Sequence, residues 1–320
     1  MLFFYPNLVY FLHQKPIHHL SPINYQRMTA NDLLIRLTSA TTHKNVFVTN
    51  NPAKEYKEYL KLIHPDVCML ANAHHATTLL NQFFDAYQSS LTYPDDAGTT
   101  TYTNHSCTTK GNDALLELSY QNYKKLTTLN DPASLHFKQY LPQSGQLVNG
   151  LLTFTTPNRI VPLYNLQLPQ KHVCWIFSRL IEFVGWLHQN GYSHNGINPA
   201  SFYIVPQTHG LICTSFYHLT RLDAKLNTIS AAHKSWYPND IFIHKKTTQN
   251  IDLELAQRTA IYLLGDQSGN GIKLKKSPDI NQTLLDFWLT PHHNSYDTYT
   301  DYRQLLQKLF GKPQFHVLDL

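Results

Sequence analysis

Charged residues and cysteines are both scarce in this 320-residue sequence. Only 15% of the residues are charged, and the formal net charge is +5. The lysines and arginines are scattered, and no run is dense enough to neutralise a nucleic-acid backbone, so we expect no nucleic-acid partner. The four cysteines lie far apart without a CxxC pair, which indicates neither a zinc site nor a disulfide framework. These absences favour a reducing compartment, and we expect a cytoplasmic protein.

A membrane segment and a metal site are also missing from the pattern. The first dozen residues are apolar, but they are too short to span a bilayer and lack both a basic n-region and a small-residue cleavage site. We therefore predict no signal peptide and no membrane partner, and we interpret residues 1–27 as a poorly ordered extension. The adjacent histidine pairs lack the further His or Cys at i+3 or i+4 that a metal site requires, so we expect no metal and no cofactor.

The apolar content, 42%, is ordinary for a globular protein, and the length predicts two domains or one domain with a small attachment. The most informative stretch is residues 53–90. Its first half predicts an amphipathic helix with two distinct faces, an apolar face of Tyr56, Leu60 and Ile63 and a basic face of Lys54, Lys57 and Lys61. Asn51-Pro52 is a plausible start for this helix.

A proline ends that helix and creates an exposed turn. Pro65 lacks an N–H group and disfavours helical geometry at His64, so His64-Pro65-Asp66 should form a turn between two antiparallel helices. The second helix is predicted to begin near Ala71, with an inner face formed by Thr77, Leu80, Phe83, Phe84 and Tyr87. A further short helix is predicted at Ala30–Ser39, capped by Thr29.

With these features, residues 28–90 resemble a J domain, the module by which DnaJ-type co-chaperones stimulate the ATPase of DnaK-type chaperones. The resemblance implies that His64, Pro65 and Asp66 engage the chaperone, while Lys54, Lys57 and Lys61 attract its acidic surface. The Tyr-rich start of the family's first helix is absent, and Ala30–Ser39 is the candidate to replace that helix. Without the resemblance, the same residues describe a helical hairpin with a proline stop and a solvated charged face.

The remaining sequence predicts a larger mixed domain. Residues 91–110, rich in Thr, Asp and Gly, are interpreted as a linker and first strands. Residues 111–320 carry alternating strand and helix patterns. The predicted helices are Asn112–Leu129, Lys171–Asn190, Leu253–Leu264 and Asp301–Phe310, and the predicted strands are Gln146–Phe154 and Arg159–Val161.

Within this region, residues 171–216 resemble the C-lobe of a protein kinase. The sequence HNGINPAS at residues 194–201 falls where kinases carry His-Arg-Asp-Leu-Lys-Pro-Glu-Asn, and of these only His194 and Pro199 remain. Phosphoryl transfer by that loop needs an Asp base, a Lys and a metal-binding Asn, and a further Asp chelates magnesium. In this sequence Gly196 replaces the Asp base and Asn198 replaces the Lys. Ser201 replaces the metal-binding Asn, and Ser215 replaces the chelating Asp. The resemblance therefore implies a catalytically inactive, degenerate loop.

The N-terminal part of this region departs from the kinase pattern as well. No GxGxxG motif lies between Gly98 and Asn112, and Lys110 is too close in sequence to Glu117 to form the usual N-lobe ion pair. The resemblance also implies that Asp252 braces the backbone of the degenerate loop. His194 is interpreted as a structural residue rather than a general base, since Gly196 leaves it without a catalytic partner.

The sequence therefore predicts an α+β protein, in which a small helical J-domain hairpin is followed by a two-lobed protein-kinase-like domain with a reduced N-lobe. This order resembles that of bacterial J-domain proteins with an attached kinase-like region. The predicted function is that of a co-chaperone acting through His64-Pro65-Asp66, not an enzyme, with the pseudokinase region as an adaptor for an unknown protein client. The alternatives are a divergent ATP-dependent protein kinase or nucleotidyl-transfer enzyme, and a structural partner in which both regions are vestigial.

Overall fold

A computed structural model describes residues 28–49, 51–69, 71–312, 314–316 and 318 of the chain. The chain divides into two compact units, unit 1 (Met1–Ser89) and unit 2 (Ser90–Leu320). The predicted poorly ordered extension, residues 1–27, lies outside the described residues. No helix in the described ranges is both long enough and apolar enough to cross a membrane.

Unit 1 is helical throughout its described part. Its helices are α1 (Ala30–Ser39), α2 (His43–Val46), α3 (Pro52–Ile63) and α4 (Ala73–Ser90). Local chemistry sets their ends: Thr29 and Asp32 form a capping box at α1, and the Asn51 side chain accepts the Lys54 backbone N–H at α3. The predicted stop before Pro65 is confirmed, because His64 already has the extended ψ angle of 133°. Helix α2 lacks a prediction because four residues carry too little periodicity.

The core of unit 1 joins α1 to the hairpin of α3 and α4. Its buried apolar residues are Leu33, Leu37, Val46, Phe47, Tyr59, Ile63, Ala76 and Leu80. The Arg36 guanidinium also donates to the Tyr59 hydroxyl at 3.0 Å, which ties α1 to α3. The predicted inner face of α3 is partly wrong. Tyr59 and Glu55 are buried beside Ile63, whereas Tyr56 and Leu60 are only half-buried.

Glu55 explains this rotation of α3. Its carboxylate accepts the backbone N–H groups of Val48 and Thr49 at 3.3 and 3.1 Å and the Tyr59 hydroxyl at 3.2 Å. A buried carboxylate is stable only when it is hydrogen-bonded in this way. The segment that precedes α3 therefore folds over Glu55, and a pattern based on apolar residues alone does not reveal it.

Unit 2 begins with a five-stranded antiparallel sheet in the order β1-β2-β3-β5-β4. The strands are β1 (Thr92–Asp95), β2 (Gly98–Tyr102), β3 (Ser106–Gly111), β4 (Ser144–Val148) and β5 (Leu151–Thr155). Residues 91–110, interpreted from sequence as a linker and first strands, are therefore almost entirely sheet. Helices α5 (Asp113–Thr127) and α6 (Pro132–Phe137) connect β3 to β4.

The predicted strand Gln146–Phe154 is wrong, because the structure has a hairpin there. Asn149 and Gly150 have φ angles of 51° and 72°, and they form the two-residue turn between β4 and β5. Asn-Gly is the preferred pair for such a turn, because both positions need a left-handed backbone. The Asn149-Gly150 pair in the sequence is therefore a turn signal, and it separates the two strands.

The rest of unit 2 is mainly helical and surrounds α7 (Gln170–Gln189). Short strands β6 (Val161–Pro162), β8 (Phe202–Val205) and β9 (Gly210–Cys213) form one sheet, and β7 (Tyr192–Ser193) pairs with β10 (Thr220–Arg221). The remaining helices are α8 (Ile241–His244), α9 (Gln249–Leu263), α10 (Gln282–Leu289) and α11 (Ser295–Phe310). Helices α9 and α11 start earlier than predicted. Asn294 caps α11 by accepting the N–H groups of Tyr296 and Asp297.

Candidate functional site

The turn after α3 leaves its polar groups open to solvent. The His64 carbonyl accepts the N–H groups of Val67 and Cys68 at 3.0 and 2.9 Å, which fixes the backbone of the turn. The Asp66 side chain is 85% exposed, and its Oδ2 lies 3.4 Å from Nδ1 of His64, which is 44% exposed. An exposed pair of this kind contributes little to stability. The carboxylate of Asp66 is therefore available to a partner.

The three lysines of α3 form an exposed stripe beside this turn. Lys54, Lys57 and Lys61 are all exposed, and Lys54 lies 3.9 Å from the Glu58 carboxylate. Within the described part of the chain, Lys57 and Lys61 have no ion-pair partner. The stripe and the turn thus make one face of unit 1 that is basic and ends in an exposed carboxylate.

In unit 2, the loop at residues 194–201 is organised by one buried carboxylate. Asp252, at the start of α9, accepts the backbone N–H groups of His194 and Asn195 at 2.8 and 2.7 Å. It also contacts Ser193 Oγ and His188 Nε2, both at 3.0 Å. Burial alone would raise the pKa of Asp252, but the His188 contact and these hydrogen bonds hold that pKa below its usual range. The resemblance to a kinase implied such a contact between Asp252 and the backbone of the loop.

His194 spans the loop without reaching solvent. Its Nε2 lies 2.8 Å from the Ser215 carbonyl oxygen, and its Nδ1 accepts the Gly196 N–H at 3.3 Å. These contacts assign a neutral ring with the proton on Nε2. Burial lowers the pKa of His194 to about 4. The ring is therefore a neutral connector between the loop and the segment around Ser215.

The side chains of Asn198 and Ser201 bond within the loop, whereas Asn195 Nδ2 donates to the carbonyls of Ser193 and His218 at 3.0 and 3.2 Å. Asn198 Nδ2 donates to the Gly196 carbonyl at 3.1 Å, and its Oδ1 accepts the Ala200 N–H at 2.8 Å. The Ser201 hydroxyl also donates to the Gly196 carbonyl, at 2.8 Å. Both side chains are buried. Neither one is free to bind a nucleotide or a metal ion.

The space beside the Cα of Gly196 is filled by the His218 ring. A Cβ atom added to Gly196 would lie 2.5 Å from Cδ2 of His218, which is closer than real Cβ contacts allow. The His218 ring is held in place by the Asp96 carboxylate at 3.1 Å from Nε2 and by the Thr228 hydroxyl at 2.9 Å from Nδ1. Gly196 is thus the residue that this packing requires.

The β1–β2 turn holds His218 in this position through Asp96, and the sequence did not predict this contact. Besides His218, Asp96 accepts the Ser230 hydroxyl at 2.7 Å, and the neighbouring Asp95 accepts the hydroxyls of Tyr217 and Thr100 at 3.0 and 3.2 Å. Burial, with the nearby Asp96 charge, raises the pKa of Asp95 to about 7. The contact with His218 lowers the pKa of Asp96 despite its burial. The only sequence signal was the adjacent acid pair in a short turn.

Strand β1 makes a second contact with the loop. The Tyr93 hydroxyl lies 2.7 Å from the Tyr203 hydroxyl and 3.3 Å from the Ala200 carbonyl oxygen, and all three residues are buried. Together with the Asp95 and Asp96 contacts, this joins the five-stranded sheet to the loop and its neighbouring segment. Residues 93–96, 194–201 and 215–218 form what we call the sealed cleft.

The N-lobe ion pair of a kinase is also absent from the described part of unit 2. Lys110 and Glu117 are both exposed, and Glu117 accepts the Gln121 side-chain amide at 2.6 Å. The described residues include no cluster of three or more His, Cys, Asp or Glu side chains that could hold a metal ion. The four predicted degenerate positions, Gly196, Asn198, Ser201 and Ser215, all lie in the sealed cleft and are buried or packed by it.

Comparisons with known proteins identify no family for this chain. No protein-family model matches the sequence, and no curated protein matches it. Among solved structures, the chain is similar to one described as vaccinia related kinase 3, with a TM-score of 0.42 and 13% sequence identity. That likeness covers 72% of this chain and 96% of the other. A similarity at this level assigns neither a fold nor a function.

Proposed function

We propose that this protein is a J-domain co-chaperone whose unit 2 is a catalytically inactive, kinase-like adaptor. One contrast carries the proposal. The Asp66 carboxylate and the partly exposed His64 ring are open to a partner, whereas the buried polar side chains of the loop at residues 194–201 are hydrogen-bonded within unit 2. The reaction is then ATP hydrolysis by the partner, a DnaK-type chaperone. Unit 2 recognises a protein client.

Three observations support the J-domain assignment of unit 1. Helix α1 packs on the hairpin of α3 and α4 and so supplies the first helix that the resemblance needs. The turn lies at the end of α3, directly after the lysine stripe. Exposed lysines speed encounter with an acidic surface, and a short turn with a fixed backbone sets the register of the complex.

Two observations support a kinase-like region without activity. A five-stranded antiparallel sheet with helices α5 and α6 between β3 and β4 precedes a mainly helical part, in which Asp252 holds the loop that follows α7. Phosphoryl transfer depends on a base for the attacking hydroxyl and on carboxylates for magnesium. Gly196 provides no base, Ser215 provides no carboxylate, and the His218 ring, held by Asp96, packs against Gly196.

The test is the rate of ATP hydrolysis by a DnaK-type chaperone with this protein added. We expect the parent chain to raise the rate, and His64→Gln to abolish the increase because the turn loses its contact group. Asp85→Asn is the control, since Asp85 is exposed on α4 two turns beyond Thr77, whose hydroxyl contacts the Ile63 carbonyl beside the turn. A parent chain that gives no stimulation, or a His64→Gln variant that stimulates equally well, would refute the proposal.

The competing function, a divergent kinase or nucleotidyl-transfer enzyme, is tested by thermal unfolding with ATP and magnesium. A nucleotide at one hundred times its dissociation constant would stabilise the fold by about 2.7 kcal/mol. We expect no shift in melting temperature, because the side chains of Asn198 and Ser201 are already hydrogen-bonded within the loop. A saturable increase would favour the enzyme.

A further inference from the structure

A second feature of unit 2 lies outside the sealed cleft. Residues 225–229 form one wall of an open depression of about 360 Å³, and Ile241, Phe242 and Lys245 form the other. We call it the α8 depression. Its volume is within the range of sites that hold small ligands or one large side chain with its neighbours.

The lining combines apolar surface with uncompensated positive charge. Leu226 and Ile241 are buried at its base, while Phe242 is 40% exposed. Lys225 and Lys245 are exposed, and in the described part of the chain neither has an ion-pair partner. No Asp or Glu contributes to the lining. This chemistry favours a ligand that carries negative charge next to an apolar group.

The position of Lys245 is fixed by the backbone. Lys245 has φ 49° and ψ 39°, the left-handed conformation that is unfavourable for a residue other than glycine. Its carbonyl accepts the Leu226 N–H at 2.8 Å, and the Thr247 N–H donates to the Ala224 carbonyl at 2.9 Å. The two walls are therefore joined before any ligand binds. Glycine would be the cheaper residue at this cap, and the lysine adds a charge at the edge of the depression.

We propose that the α8 depression binds an acidic peptide segment of a partner protein, with one bulky apolar side chain seated against Phe242 and the acidic groups on Lys225 and Lys245. Two lysines beside exposed apolar surface suit a peptide that carries both acidic and apolar side chains better than a simple anion. This site goes beyond the co-chaperone activity, since it involves neither the His64 turn nor a chaperone. It would give the adaptor region a specific docking surface.

The test uses the full chain and a fluorescent, end-blocked pentapeptide with a central phenylalanine between pairs of glutamates. Fluorescence anisotropy should show saturable binding that weakens as salt is added. Lys245→Gly should weaken binding at least tenfold without lowering the melting temperature, because glycine removes the charge and relieves the left-handed backbone. Lys246→Gly is the matched control, since Lys246 is outside the lining and pairs with Asp223 at 2.8 Å.

Each outcome decides the proposal. Replacing the peptide's phenylalanine by alanine should weaken binding to a similar degree, and replacing its glutamates by lysines should abolish it. Equal affinity of the parent and the Lys245→Gly variant would overturn the proposal. So would the absence of saturable binding, or inorganic phosphate displacing the peptide as effectively as unlabelled peptide does, which would indicate a simple anion site.

Discussion

The turn of unit 1 and the sealed cleft of unit 2 use similar residues in opposite ways. In the turn, His64 and Asp66 meet at 3.4 Å with most of the carboxylate in water. In the cleft, His218 and Asp96 meet at 3.1 Å with side chains only 3% and 7% exposed. A buried pair fixes packing and loses its availability, whereas an exposed pair keeps its availability and adds little stability. The difference teaches that burial, not residue type, separates a binding group from a structural one.

The largest effect that tests this comparison is expected from Asp252→Ala. Removing this carboxylate leaves two backbone N–H groups and His188 buried without their acceptor, whereas Ser193 Oγ can still donate to Asn195 Oδ1. We expect unit 2 to lose about 3–5 kcal/mol of its free energy of unfolding. All four tryptophans lie in unit 2, so urea denaturation followed by tryptophan fluorescence measures it separately from unit 1. A loss below about 1 kcal/mol would contradict the role of Asp252 as the organiser of the loop.

A smaller loss is expected from Gly196→Asp, which returns the residue type that catalysis requires. The new Cβ would collide with His218, and overpacking of this kind costs about 1–3 kcal/mol. We therefore expect a lower melting temperature and no phosphoryl transfer from ATP. The double variant Gly196→Asp with His218→Ala should recover part of the lost stability, because it removes the colliding ring. Kinase activity in the single variant would show that the cleft is not sealed.

The pH dependence of unit 2 should reveal Asp95. Its pKa in the folded state, about 7, is above the ordinary value of 3.8, so its contribution to stability is fully present below pH 3.8 and is lost as the pH rises through 7. Asp96, whose pKa is lowered, acts in the opposite direction and loses its contribution in acid. Asp95→Asn should therefore flatten the fall in the free energy of unfolding between pH 5 and 8. An unchanged slope in urea denaturation across that range would contradict a buried Asp95.

The smallest effect on stability is expected at the exposed turn. His64→Gln and Asp66→Asn should each change the free energy of unfolding of unit 1 by less than about 0.5 kcal/mol, because both groups face solvent. Circular dichroism at 222 nm during thermal unfolding can measure this. The same two variants should nevertheless have the largest effect on chaperone stimulation. A large loss of stability would indicate that the turn is structural, like the cleft.

The local structure of this chain was largely readable from sequence. Pro65 marks the end of α3, and Thr29 marks the start of α1. The apolar pattern of residues 171–190 predicts a long helix, and the structure has this helix at Gln170–Gln189. The errors came where a polar residue or a turn overrode the apolar pattern. Glu55 rotated the buried face of α3, and Asn149-Gly150 divided a predicted strand into a hairpin. Hydrophobic periodicity carries no information about either feature.

The candidate sites divide in the same way. The residues of the loop and of the turn could be named from sequence, because each motif is contiguous. The partners of those residues could not be named. Asp96 and His218 are separated by 122 positions in the chain, and only the folded sheet brings the β1–β2 turn to Gly196. Long-range pairs of this kind leave no periodic trace in a single sequence.

By itself, the sequence determined which groups exist: His64-Pro65-Asp66 after a segment with three lysines, and a loop at residues 194–201 that has no acidic side chain. The tertiary structure decided which of those groups can be used. It exposed Asp66, buried His194 and placed His218 against Gly196. The physical reason is that residue identity sets the chemistry of a side chain, whereas burial and hydrogen bonding set whether that chemistry faces a partner or the protein interior.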